Sequence, residues 1–66
     1  MTVYSAILHD TYTDEDGKEI AYEDKIVAVQ KKDGDFKCSS LPDFDTFNML
    51  NEEFFKKCTD IKVVFE

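Results

Sequence analysis

Alternation of apolar and polar side chains predicts two long strands at the start of the chain. A repeat of two is the pattern of a strand with one face toward a core. The apolar phase holds Tyr4, Ala6, Leu8 and Tyr12 in the segment TVYSAILHDTYT, and Ile20, Tyr22, Ile26 and Ala28 in the segment KEIAYEDKIVAVQ. Val27 and Val29 fall in the opposite phase, so the end of the second strand is expected to be apolar on both faces. A bulge is expected at residues 23–25.

The turn between these strands decides which way the surrounding side chains point, because a one-residue change of register moves every side chain to the other face. A two-residue turn on Asp16-Gly17 would set carboxylates directly opposite each other, which is destabilising. A three-residue loop over residues 15–17, with Gly17 in the left-handed bulge position, sets Asp14 opposite Lys18 and gathers the apolar side chains on one face. The sequence therefore favours the three-residue loop.

A second turn and two further strands follow. The Asp33-Gly34 pair in KKDGD is the signal of a two-residue hairpin turn, and it leads into a short strand, FKCSS. The last segment, DIKVVFE, alternates again and predicts a strand at the end of the chain.

One helix is predicted between the third strand and the last. In SLPDFDTFNMLNEEFFKKC, apolar residues recur at spacings of three and four, the period of a helix with one apolar side. They are Phe44, Phe47, Leu50, Phe54 and Cys58. Ser40 is the expected N-cap, with Pro42 in the first turn. Met49 falls on the side opposite this aromatic stripe and is expected to be exposed.

These elements predict one domain, residues 1–66, of the α+β class, in the order β-β-β-α-β. An amphipathic helix would pack its aromatic stripe against a mainly antiparallel sheet of four strands. A chain of 66 residues buries only about 60% of the surface that its unfolded form exposes, so its stability is expected to be marginal.

No metal or cofactor is predicted. Cys38 and Cys58 form no CxxC motif and are expected to be reduced and buried. With His9 as the single histidine, the usual His and Cys ligands of zinc are not available. Residues 12–23 resemble a calcium-binding loop in part, but Tyr12 occupies the position of the first acidic ligand and the flanks read as strands.

Negative charge is the strongest departure from an ordinary domain. The chain has fifteen Asp and Glu residues, eight lysines and no arginine, which gives a net charge of −7. A surface of this sign repels phosphate backbones and anionic membranes, so binding to nucleic acid or membrane is not expected. It attracts basic proteins, because potentials of opposite sign steer encounter. No apolar run approaches the 18 residues of a membrane span and no signal-peptide pattern is present, so a soluble, cytoplasmic protein is expected.

The sequence predicts that the protein is not an enzyme. A catalytic nucleophile needs a base within reach, and the one histidine lies on a strand, where it is expected to form a surface pair with Glu23. Paired carboxylates need a pocket that shifts their pKa values, and a domain of this size leaves little volume for one.

The acids are concentrated in HDTYTDEDGKEIAYEDK, residues 9–25, which holds seven carboxylates and two lysines. A hairpin turn needs one or two of them, so the others are either a binding feature or a solvated face that keeps the protein soluble. Same-side residues along a strand are about 6.6–6.8 Å apart, the scale of neighbouring phosphates. In style, though in no motif, the chain resembles the small DNA-mimicking inhibitors of bacteriophage host takeover and anti-defence.

The expected function is therefore that of an inhibitor that occupies the nucleic-acid site of a basic protein in the host cytoplasm. The predicted contacts are the acids of the first hairpin, Asp14, Glu15, Asp16, Glu19 and Glu23. A second candidate surface is the outer helix face, with Asp45, Met49, Glu52 and Glu53. The alternative function is an adaptor that binds a partner along an exposed strand edge or through that helix face. A homodimer held by Val27 and Val29 is also predicted.

Overall fold

Five antiparallel strands form one sheet in a computed structural model that describes residues 1–66. The elements are, in chain order, β1 (Val3–Thr13), β2 (Glu19–Gln30), β3 (Phe36–Ser40), β4 (Thr46–Met49), α1 (Asn51–Lys57) and β5 (Cys58–Phe65). The strand order across the sheet is β4-β3-β2-β1-β5, and α1 packs on one face. The α+β class is confirmed, but the sheet has five strands where four were predicted.

The first hairpin has the predicted three-residue loop. The backbone N–H of Asp14 donates to the carbonyl of Lys18 at 2.8 Å, and Gly17 takes a left-handed φ of 81°. Tyr12 lies opposite Ile20, as the favoured register requires. Gly17 allows this loop because a residue with a Cβ rarely adopts a positive φ.

The predicted bulge at residues 23–25 is absent. Pairing between β1 and β2 runs without a shift along the whole of β1. The two valines that suggested a change of phase, Val27 and Val29, lie half-buried on the face of the sheet that α1 leaves open. Regular alternation places them there, so no extra residue is needed. Whether a second copy of the chain covers them stays a prediction.

The second hairpin repeats the geometry of the first and corrects the predicted two-residue turn. The backbone N–H of Lys31 donates to the carbonyl of Asp35 at 2.7 Å, so the loop has three residues, 32–34. Gly34 takes the left-handed position with a φ of 94°. A two-residue turn would slip the register by one residue and turn Phe36, which is buried, away from the core.

Residues 41–50, predicted as the first half of the helix, form a turn and strand β4 instead. Phe47 and Met49 are two residues apart and pair with β3, so their spacing is that of a strand. Asp, Asn, Thr and Phe, which dominate this stretch, all have low helix propensity. The predicted aromatic stripe is therefore wrong, since Phe44 and Leu50 are exposed, and Met49 is buried where exposure was predicted.

Helix α1 has seven residues and begins at Asn51, with no role for Ser40 as its cap. The carboxylate of Asp35, in the second hairpin, accepts a hydrogen bond from the N–H of Asn51 at 2.9 Å. Glu53 Oε1 accepts a second one from the N–H of Leu50 at 3.3 Å. These bonds satisfy backbone donors that a helix start leaves free. No helix of this structure has the length and apolar character needed to cross a membrane.

The core lies between the sheet and α1. Its buried members are Ala6, Leu8, Ile26, Ala28, Phe36, Cys38, Met49, Phe54 and Cys58. Phe54 of α1 stacks on Phe36 of β3, with ring centroids 3.9 Å apart and planes inclined by 14°. Both cysteines are buried and unbonded, as predicted. Burial raises the pKa of Cys38 to about 11, so this thiol stays protonated at neutral pH.

The edge strand β5 carries two bulges opposite β1. The register shifts by one residue between Ser5 and Ile7 and again between Val3 and Tyr4. Asp60, at the first shift, has a positive φ of 52°. Each extra residue bends the strand and disrupts regular pairing along it. At the opposite edge of the sheet, β4 has only four residues.

Candidate functional site

The outer half of the first hairpin extends beyond the other strands. β3 pairs with β2 only over Ile26–Gln30, and β5 pairs with β1 only over Val3–Leu8. Residues 9–25 therefore form a two-stranded ribbon with no neighbouring strand on either side, and we call them the arm. The molecule is correspondingly elongated, 43 Å along its longest axis against 24 and 19 Å along the others.

The arm coincides with the acidic stretch of the sequence. Its seven carboxylates and two lysines give it a net charge of −5, out of −7 for the whole chain. The other 49 residues carry only −2, so the body of the protein is close to balanced. The charge is thus concentrated on the one part of the sheet that contributes no side chain to the core.

The structure places all five predicted contacts on the arm but divides them between two regions. Glu15 and Asp16 lie in the loop at its tip. Glu19 and Glu23 point to the open face of the sheet, and both are exposed. Asp14 is half-buried, although the sequence predicted exposure for all five. The predicted patch therefore runs from the tip down the open face, with Asp14 set apart.

The side chain of Asp14 stabilises the loop. Its Oδ1 accepts hydrogen bonds from the backbone N–H groups of Asp16 and Lys18, both at 2.9 Å. This is the usual reason for Asp at the first position of a turn, where the side chain satisfies backbone donors two and more residues on. The carboxylate of Asp14 is therefore less available to a partner than those of the other four.

We expect Asp14→Ala to weaken the arm and Asp14→Asn to leave it nearly unchanged. Alanine removes the acceptor of two backbone hydrogen bonds, at a cost of about 1–2 kcal/mol in the free energy of arm opening, whereas the asparagine carbonyl oxygen can accept both. Amide hydrogen exchange in the arm measures this free energy. Equal protection in the two variants would show that the Asp14 side chain does not hold the loop.

His9 and Glu23 form the predicted pair, and the structure adds a third group. His9 Nδ1 lies 3.7 Å from Glu23 Oε2, and its Nε2 is 2.7 Å from Thr59 Oγ1 of β5. The side chains of His9 and Glu23 are 46% and 69% exposed, so this row of hydroxyl, imidazole and carboxylate is open to solvent. The three groups instead connect β1, β2 and β5 where the arm leaves the sheet.

Asp10 and Asp24 are arm residues that sequence reasoning missed, because they share the phase of the apolar face. Asp10 lies at the base of the arm, where Lys57 Nζ of α1 approaches its Oδ2 to 3.4 Å. A backbone hydrogen bond from the N–H of Thr11, together with Lys57, holds the pKa of Asp10 below its ordinary value. Asp24 lies opposite Leu8, is exposed, and has no ion-pair partner within 4 Å.

The second predicted surface does not exist as one face of a helix. Asp45 lies in the turn before β4, and Met49 is in the core. Glu53 accepts the N-terminal hydrogen bond of α1 and lies 3.8 Å from Lys57. Only Glu52 is an exposed acid on the helix itself. The four residues were grouped by assuming a helix through residues 41–50, and that assumption was wrong.

No three or more His, Cys, Asp or Glu side chains are grouped so that they could hold a metal ion. No protein-family model matches the chain, and no curated protein or solved structure shows significant similarity to it.

Proposed function

We propose that this chain is a non-enzymatic inhibitor that inserts its arm into the nucleic-acid site of a basic protein and so imitates DNA. One observation carries the proposal: a net charge of −5 lies on an arm that extends beyond β3 and β5 and contributes nothing to the core. Acids that serve only solubility need no particular position on the surface. A ligand for a cleft must project from the body that carries it.

The dimensions of the arm suit a cleft built for nucleic acid. Seven residue-to-residue steps lead from His9 to Asp16 near the tip, a span of about 23 Å at 3.3 Å per step. Glu19 and Glu23 lie on the same face of β2 four residues apart, about 13 Å at 3.3 Å per residue. A nucleic-acid strand carries one phosphate per 3.4 Å of axial rise along a wound path. Carboxylates on a twisted ribbon can therefore meet Lys and Arg side chains that are spaced for phosphates.

The charge also defines the class of partner. A basic cleft attracts the arm over a distance of about one screening length, 8 Å at physiological salt. A nucleic acid or an anionic membrane is repelled, so neither is proposed as a direct ligand. Small acidic inhibitors of this kind suit a bacteriophage that acts in the host cytoplasm, and host takeover or anti-defence is the role we propose.

A second candidate function is an adaptor that binds a partner strand at the edge of the sheet. The observation in its favour is the exposure of three consecutive apolar side chains on β5, Val63, Val64 and Phe65. The two bulges of β5 and the four-residue length of β4 oppose it, because β-augmentation needs a regular edge. We therefore rank it second.

The test is capture of bacterial lysate proteins on the immobilised chain, followed by elution with duplex DNA. We expect a nucleic-acid-binding protein that duplex DNA displaces. Its affinity should fall steeply as salt rises from about 0.1 M to about 1 M, because the screening length falls from about 10 Å to about 3 Å. A partner that duplex DNA leaves bound and that tolerates 1 M salt would contradict mimicry and favour the adaptor.

A further inference from the structure

Two tyrosine rings are exposed on the face of the arm that is turned toward the α1 side. Tyr12 is 53% exposed and Tyr22 is 37% exposed. Their ring centroids are 5.9 Å apart, and the ring planes are inclined by 53°. The core ends before it reaches them, since its last arm-side members on β1 and β2 are Leu8 and Ile26. Charge alone does not account for aromatic rings at this position.

Carboxylates alternate with these rings on the same face. The order along β1 and into the loop is Asp10, Tyr12, Asp14, and the order along β2 is Ile20, Tyr22, Asp24. Asp10 lies directly opposite Tyr22, and the Cβ atoms of facing residues are about 4.5–5.5 Å apart. Asp24 follows Tyr22 on the same side of the strand, about 6.6–6.8 Å away. Each ring therefore has a carboxylate as its neighbour.

This face already accepts one cation from within the protein. Lys57 Nζ lies 3.4 Å from Asp10 Oδ2 at the base of the arm. Asp24, which lies opposite Leu8 and so closer to the body than Asp10, has no cationic partner within 4 Å, and Tyr22 is its neighbour on the side of the tip. The exposed Asp24 carboxylate and the exposed rings of Tyr22 and Tyr12 are thus open to a cation from another molecule.

We propose that this face binds arginine in preference to lysine, so that the basic partner presents an arginine-rich surface to the arm. A guanidinium is planar, stacks on aromatic rings and donates two parallel hydrogen bonds to a carboxylate. An ammonium is compact and strongly hydrated, and it gains less from a ring. A row of carboxylates without rings would distinguish the two much less. The inference rests on the proposed function only in taking the partner to be basic.

The rings also have a structural role that the test must separate from binding. Tyr12 and Tyr22 are diagonal neighbours across the two strands, and such aromatic pairs stabilise a hairpin. Threonine keeps a high strand propensity without a ring, and phenylalanine keeps the ring without the hydroxyl. Asp24→Asn leaves both rings in place and removes only the charge.

The experiment is a calorimetric titration of the protein with deca-arginine and with deca-lysine at about 0.1 M salt. We expect the intact protein to bind deca-arginine about five- to thirtyfold more tightly, from two exposed ring contacts. The variant Tyr12→Thr/Tyr22→Thr should bind both peptides equally, while Tyr12→Phe/Tyr22→Phe keeps the preference. Asp24→Asn should lower the affinity for deca-arginine more than the affinity for deca-lysine.

Several outcomes would overturn the inference. Equal binding of the two peptides by the intact protein is one, and a preference that survives in the threonine variant is another. Amide exchange shows whether the arm of the threonine variant is folded. If it is unfolded, the Asp24→Asn variant decides: an equal loss of affinity for the two peptides in that variant would contradict the inference. In another outcome, the intact protein binds the two peptides with equal affinity and loses both when the arm acids are replaced by their amides. That result would refute arginine selection and would be consistent with the proposed function. Failure of the intact protein to bind either peptide would refute both.

Discussion

Conversion of Asp14, Glu15, Asp16, Glu19 and Glu23 to their amides is expected to remove most of the affinity for the partner while the fold persists. Exposed ion pairs contribute about 0.2–1 kcal/mol each, so five lost pairs weaken binding by about 1–5 kcal/mol, a factor of roughly 5 to 4,000. Asn at position 14 keeps the acceptor that the loop needs. The measurements are the dissociation constant and the association rate at about 0.15 M salt, and both the rate and its salt dependence should fall.

A matched control removes the same amount of charge from the body. Asp43, Asp45, Glu52, Asp60 and Glu66 are all exposed, and none of their side chains lies in an ion pair. Their amides give the same net charge of −2 as the arm variant and should leave affinity within a fewfold of the original. Equal losses in the two variants would mean that net charge and not the arm drives binding. An arm variant with unchanged affinity would mean that the arm acids serve only solubility.

The largest effect on stability is expected from Phe54→Ala. Phe54 is fully buried and stacks on Phe36, and truncation of such a side chain costs about 3–5 kcal/mol. A domain of 66 residues has about 3–10 kcal/mol in total, at 0.05–0.15 kcal/mol per residue. The variant should therefore be partly or wholly unfolded at room temperature. Urea unfolding followed by circular dichroism measures the loss.

The neighbouring residue provides the control. Phe55 is 57% exposed and touches Phe36 and Phe54 only edge-on, with centroids 5.7 and 5.4 Å away. Phe55→Ala should cost about 1–3 kcal/mol, at about 0.5–1.5 kcal/mol for each of its two aromatic contacts, and so less than Phe54→Ala. If the two alanine variants were equally stable, α1 would not be anchored in the core by Phe54.

Local features of the first hairpin were predictable from the sequence, because both competing registers could be compared within one short segment. Gly17 supplies the left-handed position, and the opposition of like charges excludes the shorter loop. In the second hairpin, the local sequence does not discriminate between a two-residue and a three-residue loop. Its Asp33-Gly34 pair suits either loop length, and only the burial of Phe36 against α1 decides between them.

Features that depend on distant parts of the chain were not predictable. Residues 44–58 repeat at helical spacing, but residues 46–49 pair with β3, and α1 begins where the side chain of Asp35 can cap it. Tyr12 and Tyr22 belong to the apolar phase, yet they lie outside the core because β3 and β5 are too short to reach them. The length of the neighbouring strands is a tertiary property. The alternation of the sequence therefore predicts which face of the sheet a side chain lies on, but it does not predict whether that side chain is buried.

The irregular register of β5 has a consequence for the protein at high concentration. Lys62–Glu66 reads KVVFE, a segment whose central apolar residues and terminal charges are complementary to a second antiparallel copy of itself. Short segments of this type stack into amyloid fibrils when they present a straight, unpaired edge. The extra residues of β5, one between Thr59 and Lys62 and one between Val63 and Phe65, bend that edge, so the native state lacks the flat template on which fibril growth depends. Fibril formation would then have to begin from chains in which β5 has detached from β1.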